Sequence, residues 1–163
     1  MPRMQIEIRD ARAADLDAVL ALNEAVVPAV NSVPMAQMEK FLREADYFRV
    51  ALAGGDLAGY LIGLTPDADY HSPNFLWFRR RYDAFGYVDR VAVAAFARRL
   101  GVGTALYRDF ERHFRGRAPR LACEVNLEPP NEPSMRFHER FGFVKVGEQP
   151  VDGKVVAMLV KEL

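Results

Sequence analysis

The hydrophobic pattern switches between two periods along the chain. Gln5-Ile6-Glu7-Ile8-Arg9 alternates polar and apolar residues, the period of a strand with one wet face, and predicts a first strand. From residue 13 to about 27 the apolar positions Leu16, Val19, Leu20, Leu22, Val26 and Val27 recur at three- and four-residue steps. Asp15 and Asp17 sit near the start, where a helix favours negative charge, and Pro28 is expected to end the helix. A second helix is predicted over 35–45, with Met38, Phe41 and Leu42 inward. Residues 48–52 and 57–62 flank Ala53-Gly54-Gly55-Asp56 and read as a hairpin. Further on come a β-branched strand over 86–93, a helix over 103–114 and a strand over 120–127. A helix opened by Pro133 and closed by Gly142 follows, then strands over 143–146 and 154–161. This order predicts a mixed α/β sheet.

One stretch fits neither period. Residues 65–85 show no clear periodicity, yet Tyr70, Phe75, Trp77, Phe78, Tyr82 and Phe85 lie among Arg79, Arg80 and Arg81, and plain disorder is poor in aromatics. The expectation is a lid beside a ligand site, its aromatics covering the apolar part of a ligand and its arginines favouring one that carries a carboxylate. The alternative is that the aromatics pack over the first two helices or a partner copy.

Composition narrows the class. With 163 residues, half of them hydrophobic and 27% charged, the chain has room for one domain over 1–163. Lys and Arg balance Asp and Glu at 22 each, so nothing global draws the protein to nucleic acid or to an anionic membrane. The local Arg108, Arg112 and Arg115 face does not outweigh that balance. The lone Cys123 has no intramolecular disulfide partner. His71, His113 and His138 lack zinc-ligand spacing, so no metal is expected. The opening residues carry no apolar h-region and no later run reaches a membrane span, so the cytoplasm is the expected location.

The most informative stretch is Arg98-Arg99-Leu100-Gly101-Val102-Gly103-Thr104, between a predicted strand and a predicted helix. Strand, glycine turn and helix together make an anion cradle, because consecutive N–H groups and the positive helix end converge there. A Rossmann fingerprint is excluded by Leu106 where a third glycine or alanine belongs, and a P-loop by the absence of Gly-Lys-Ser/Thr. Downstream stands Asn131-x-x-Ser134-x-x-Phe137-His138-x-x-x-Gly142-Phe143. The two motifs, in this order, resemble the Gcn5-related N-acetyltransferase superfamily, and the order of strands and helices matches over essentially the whole chain.

The resemblance implies a mostly antiparallel, seven-stranded sheet, splayed between its fourth and fifth strands and flanked by about four helices. Acetyl-CoA would be the acyl donor. Backbone groups of Val91, Ala92 and Val93 would pair with the pantetheine, Arg98, Arg99, Leu100, Gly101, Val102, Gly103 and Thr104 would hold the diphosphate, and Asn131 and Phe137 would line the thioester end. The family commonly places a Tyr acid where this sequence has His138, a group whose reference pKa is ~6.5 rather than ~10. His138 is therefore the candidate acid for the departing thiolate, and a neutral imidazole has one N–H to donate. Asp89, ranked first, and Glu124 are the candidate bases, on the strands that would flank the gap; Asp89 also has Arg90 and Arg49 as pairing partners. Cys123 reads as a small buried side chain, which disfavours a ping-pong route. The expected activity is direct transfer of an acetyl group to a primary amine. The alternative is a noncatalytic acyl-CoA-binding module. Free amino acid, polyamine, antibiotic, peptide N-terminus and protein lysine all stay open as acceptors, and so does a homodimer.

Overall fold

A computed structural model describes residues 5–163, so Met1–Met4, part of the stretch read for a targeting signal, lie outside the described residues. The strands are β1 (Ile6–Asp10), β2 (Tyr47–Ala53), β3 (Asp56–Leu64), β4 (Gly86–Val93), β5 (Arg120–Glu128), β6 (Val144–Val151) and β7 (Lys154–Glu162). The helices are α1 (Leu16–Ala25), α2 (Met35–Glu44), α3 (Pro73–Arg81), α4 (Val102–Phe114) and α5 (Glu132–Phe141), with short 3₁₀ turns before α1 and before α4. The seven strands form one mixed sheet in the order β1-β2-β3-β4-β5-β7-β6. Parallel pairing of β4 with β5 runs through Gly86↔Leu121 and Tyr87↔Ala122, at the start of both strands. The expected strands are thus all present, and five helices stand where about four were expected.

The residues group into two compact units that interleave in sequence, one comprising the chain up to Leu64 with Val88–His113, the other Thr65–Tyr87 with Phe114–Leu163. In the first, β1 and β3 flank β2 in antiparallel register. The amphipathic α4 buries Leu106, Tyr107 and Phe110. Its first turn comes so near β3 that a Cβ on Gly59 would stand 2.9 Å from Val102 Cγ1 and 2.8 Å from the Ala92 carbonyl. Only glycine allows that approach, which fixes where the N-terminus of α4 lies.

In the second unit β7 pairs with β5 on one edge and β6 on the other, which accounts for its nearly unbroken apolar run: Val156–Val160 are all buried. The stretch 65–85 is corrected here. It contains α3, opened by Pro73, and Phe75 and Phe78 are fully buried. Their rings stand 5.5 and 5.8 Å from that of Tyr87, and both also contact Phe85. Trp77 lies over Gly147 of β6. The arginines are drawn into the same packing: Arg81 stacks 3.7 Å above the Trp77 ring and donates to the Trp77 carbonyl, and Arg79 lies 5.7 Å from the centre of Phe75. These aromatics are core, not a cover for a substrate. The pattern was obscured because α3 buries three of its nine residues beside a run of three arginines, two of which, Arg79 and Arg81, lie over its own rings.

Candidate functional site

In the first unit β4 leads through a 3₁₀ turn at Ala95–Ala97 into residues 98–101 and then α4, which starts at Val102, one residue earlier than expected. Arg99 and Gly101 both take positive φ, 73° and 81°. For arginine that conformation is unusual and costs energy. These bends bring the chain onto the helix axis and leave the N–H groups of the first turn directed outward. A Cβ on Gly101 would meet no atom within 4 Å, and Arg98, Arg99 and Leu100 are exposed. The turn is thus open and cationic at a helix N-terminus, and Gly101 keeps the space beside it clear.

Back along β4, Asp89 is committed to a partner. Arg90 Nε donates to Asp89 Oδ2 at 2.8 Å, and the two side chains are only 3% and 4% exposed. Of the two partners open to Asp89 in sequence the structure uses Arg90, while Arg49 pairs with Asp10 and Asp109. Arg90 also donates from Nη1 to Asn23 Oδ1 and the Asn31 carbonyl, and from Nη2 to Asn31 Oδ1. The Tyr60 hydroxyl donates to the same Asn23 oxygen at 2.6 Å. Burial raises the Tyr60 phenol far above its ordinary value and holds it protonated as a donor.

In the second unit Glu124 projects from β5, and the hydroxyl of Tyr87 donates to both its carboxylate oxygens, at 2.8 and 3.0 Å. Cys123 is fully buried, and burial first, with the Glu124 charge second, pushes its thiol well above the ordinary range. A protonated, enclosed thiol is no nucleophile, in keeping with direct transfer.

The downstream motif forms α5. Asn131 caps it, accepting from the Ser134 N–H at 3.3 Å; Pro133 occupies the first turn and Gly142 ends the helix, as expected. Phe137 is half-buried and stacks on Phe141. His138 is buried, its ring edge-on to Phe143. Its Nδ1 lies 2.7 Å from the Ser134 carbonyl oxygen, an obligate acceptor, so Nδ1 carries the proton of the neutral ring. Nε2 is then an acceptor, and the N–H available to a neutral imidazole is already given to the backbone. Burial lowers the His138 pKa, opposed by that same hydrogen bond.

Sequence reading missed Arg90, Asn23, Asn31 and Tyr87. A signal existed for Arg90: in Tyr87-Val88-Asp89-Arg90-Val91-Ala92 the alternation of β4 puts a full charge at an inward position, which demands built-in partners. Asn23 and Asn31 carried no such mark. Among the described residues no group of three or more His, Cys, Asp or Glu side chains is placed to hold a metal ion. No helix is long and apolar enough to cross a membrane.

Comparison with known proteins agrees with this geometry. The sequence model described as acetyltransferase (GNAT) family matches residues 16–143. An N-alpha-acetyltransferase of Sulfurisphaera tokodaii is 27% identical over 145 residues, 87% of this chain and 82% of that protein. The crystal structure of Ard1 from Thermoplasma volcanium superposes with a TM-score of 0.78 at 20% identity, covering 97% of each chain. Arabidopsis thaliana Naa50, solved with the bisubstrate analogue CoA-Ac-MVNAL, gives 0.73 at 14% identity over 97% of this chain and 99% of that one. The structural likenesses carry the fold, and the family match carries the class.

Proposed function

The chain belongs to the acetyltransferase (GNAT) family and is an acetyl-CoA-dependent N-acetyltransferase, and on that premise we propose that its acceptor is the α-amino group of a polypeptide N-terminus, acetylated in a ternary complex. The observation that carries the donor side is the open turn at 98–104. Gly101 leaves the space into which a diphosphate fits, Arg98 and Arg99 supply charge, and the first N–H groups of α4 supply donors. Val91, Ala92 and Val93 then present strand backbone to the pantetheine amides. The family resemblance assigns Asn131 and Phe137 to the thioester end. The peptide acceptor is favoured by the N-alpha-acetyltransferase relative. A small carboxylate-bearing acceptor loses part of its support, because two of the three arginines read for it, Arg79 and Arg81, lie over rings of α3.

In the reaction the amine nitrogen attacks the thioester carbonyl carbon, the new C–N bond forms, the C–S bond breaks and the amine sheds a proton. Glu124 is the proposed base, held in orientation by Tyr87, since Asp89 is committed to Arg90. The thiolate must be protonated. His138 does this only as the imidazolium, because its neutral N–H is donated to Ser134. A single domain over 1–163 and a cytoplasmic location complete the reading.

CoA release should be measured with a panel of tetrapeptides of free N-terminus, their Nα-blocked lysine-containing counterparts, spermidine and free amino acids. The free-N-terminus peptides are expected to give kcat/KM at least tenfold above the rest. Spermidine, a free amino acid or a blocked peptide leading the panel would overturn the peptide α-amine assignment.

A further inference from the structure

Nine residues join α1 to α2, a length at which a surface connector is ordinarily loose. This one is held at several points. Arg90 grips Asn31 by both its carbonyl, at 3.2 Å, and its side-chain oxygen, at 2.8 Å. Asn23 donates to the same carbonyl at 3.1 Å. Glu24 accepts from Ser32 Oγ at 2.6 Å and from the Val33 N–H at 3.3 Å, and these donors lower its pKa, the Ser32 hydroxyl most. The Arg90 guanidinium also stands 5.4 Å from the ring centre of Phe41 on α2. One buried cation on β4 therefore holds the end of α1, the connector and α2 together.

Such a network is a poor way to gain stability, because burying a guanidinium and a carboxylate costs several kcal/mol, and well-packed apolar side chains of the same volume commonly do as well or better. What it gives is a fixed conformation. The position matters as well. With the diphosphate at 98–104 and the pantetheine along Val93, Ala92 and Val91, the donor runs back down β4 at ~3.3 Å per residue, so its acyl end comes level with Arg90. The connector is tied to that residue.

We propose that Arg90 is a positioning residue for the acceptor: by gripping Asn31 it holds residues 31–33 as a rigid wall beside the β4 position that the acyl end of acetyl-CoA reaches, and that wall orients the incoming amine. The inference rests on the donor placement above. It adds a residue that touches neither donor nor acceptor and acts through Asn31. Fixing an acceptor in line is worth large factors in rate, and a wall that sways loses part of them.

The test uses Asn31→Ala, which removes an exposed side chain and leaves the buried Asp89–Arg90 pair intact, with Arg90→Lys as the second variant. Hydrogen exchange over residues 26–34, acetyl-CoA affinity by calorimetry, and KM and kcat for the best acceptor of the panel are read on each. For Asn31→Ala the expected result is faster exchange over 26–34, acetyl-CoA affinity within twofold of the parent and an acceptor KM raised about tenfold, the weight of a hydrogen bond to a charged group. Arg90→Lys, which keeps the charge but not the planar fork, should move the same readouts in the same direction. Faster exchange with unchanged acceptor KM would make the tether purely structural and overturn the proposal. So would a loss of acetyl-CoA affinity as large as the rise in KM. Failure of the donor placement is read separately, as unchanged acetyl-CoA affinity in Gly101→Asp.

Discussion

The turn at 98–104 and the segment 65–85 both stand out in the sequence as cationic interruptions between regular elements, yet they fold in opposite senses. In the turn the arginines are exposed, the backbone adopts positive φ at Arg99, where it is costly, and at Gly101, where it is not, and nothing lies above the Gly101 Cβ position. In the segment Arg79 and Arg81 fold back over their own rings, and Phe75 and Phe78 vanish into the second unit. A binding loop keeps polar groups unspent and space unfilled; a structural segment spends and fills both. Counting charges and aromatics does not separate the two. What separates them is whether the space beside the backbone stays empty, as at Gly101, or is filled by packed rings, as around Phe75 and Phe78.

The largest effect that sharpens this contrast is expected at Phe78. Phe78→Ala empties a fully buried ring site, at a cost of ~3–5 kcal/mol by analogy with other buried Phe→Ala changes. Denaturant unfolding should show that loss. Calorimetry under conditions where the variant remains folded should show acetyl-CoA affinity unchanged. A destabilisation below ~1 kcal/mol combined with a raised acceptor KM would return the segment to substrate recognition.

The converse variant is Gly101→Asp. It places a carboxylate, at a backbone angle that suits glycine, in the space where the diphosphate is proposed to sit. Acetyl-CoA affinity should fall about thirtyfold or more, from lost access and charge repulsion together, while unfolding free energy should fall by about 1–2 kcal/mol from the left-handed backbone angle alone, since no neighbour is displaced. Gly101→Ala separates the two causes, since it brings the same backbone strain without the charge. Unchanged affinity in a folded Gly101→Asp protein would make the turn an ordinary helix start and erase the contrast.

Legibility in the sequence divides along the same line. Every strand was visible because alternation, as in Gln5–Arg9, or an unbroken apolar run, as over 154–161, maps directly onto one or two buried faces. The turn at 98–104 was visible because its chemistry is local: two glycines, two arginines and a helix start within seven residues. The Arg90–Asn23–Asn31 network was not, since its partners are separated by up to 67 residues and polar side chains announce no distance. Asp89 was read with Arg90 and Arg49 as its open partners, and it is the buried pairing with Arg90 that moves the proposed base to Glu124. The contact between His138 Nδ1 and the helix's own Ser134 carbonyl was equally out of sight, because it is set by a rotamer that residue type does not fix.

His138 is where the contrast is finest, being buried like the aromatics of α3 yet lying in a motif that the family resemblance ties to the thioester. Burial lowers its pKa in the folded protein below the ~6.5 of an unfolded imidazole. The unfolded chain therefore binds more protons over the range between the two values, and stability falls as pH drops through the unfolded value, levelling off below the folded one; above ~6.5 the group adds no pH dependence. Melting temperatures followed from pH 8 to pH 5 should decline more steeply for the parent than for His138→Gln, which is neutral throughout. Equal slopes would mean that the buried imidazole is not the titrating group. The same variant decides the chemical role. If imidazolium is the proton donor, parent kcat should rise as pH falls toward the lowered pKa, and His138→Gln should lose both that rise and about tenfold in kcat at its maximum. A parent profile without that rise, together with a full stability slope, would place His138 with the aromatics of α3 as packing and leave the thiolate to be protonated by water.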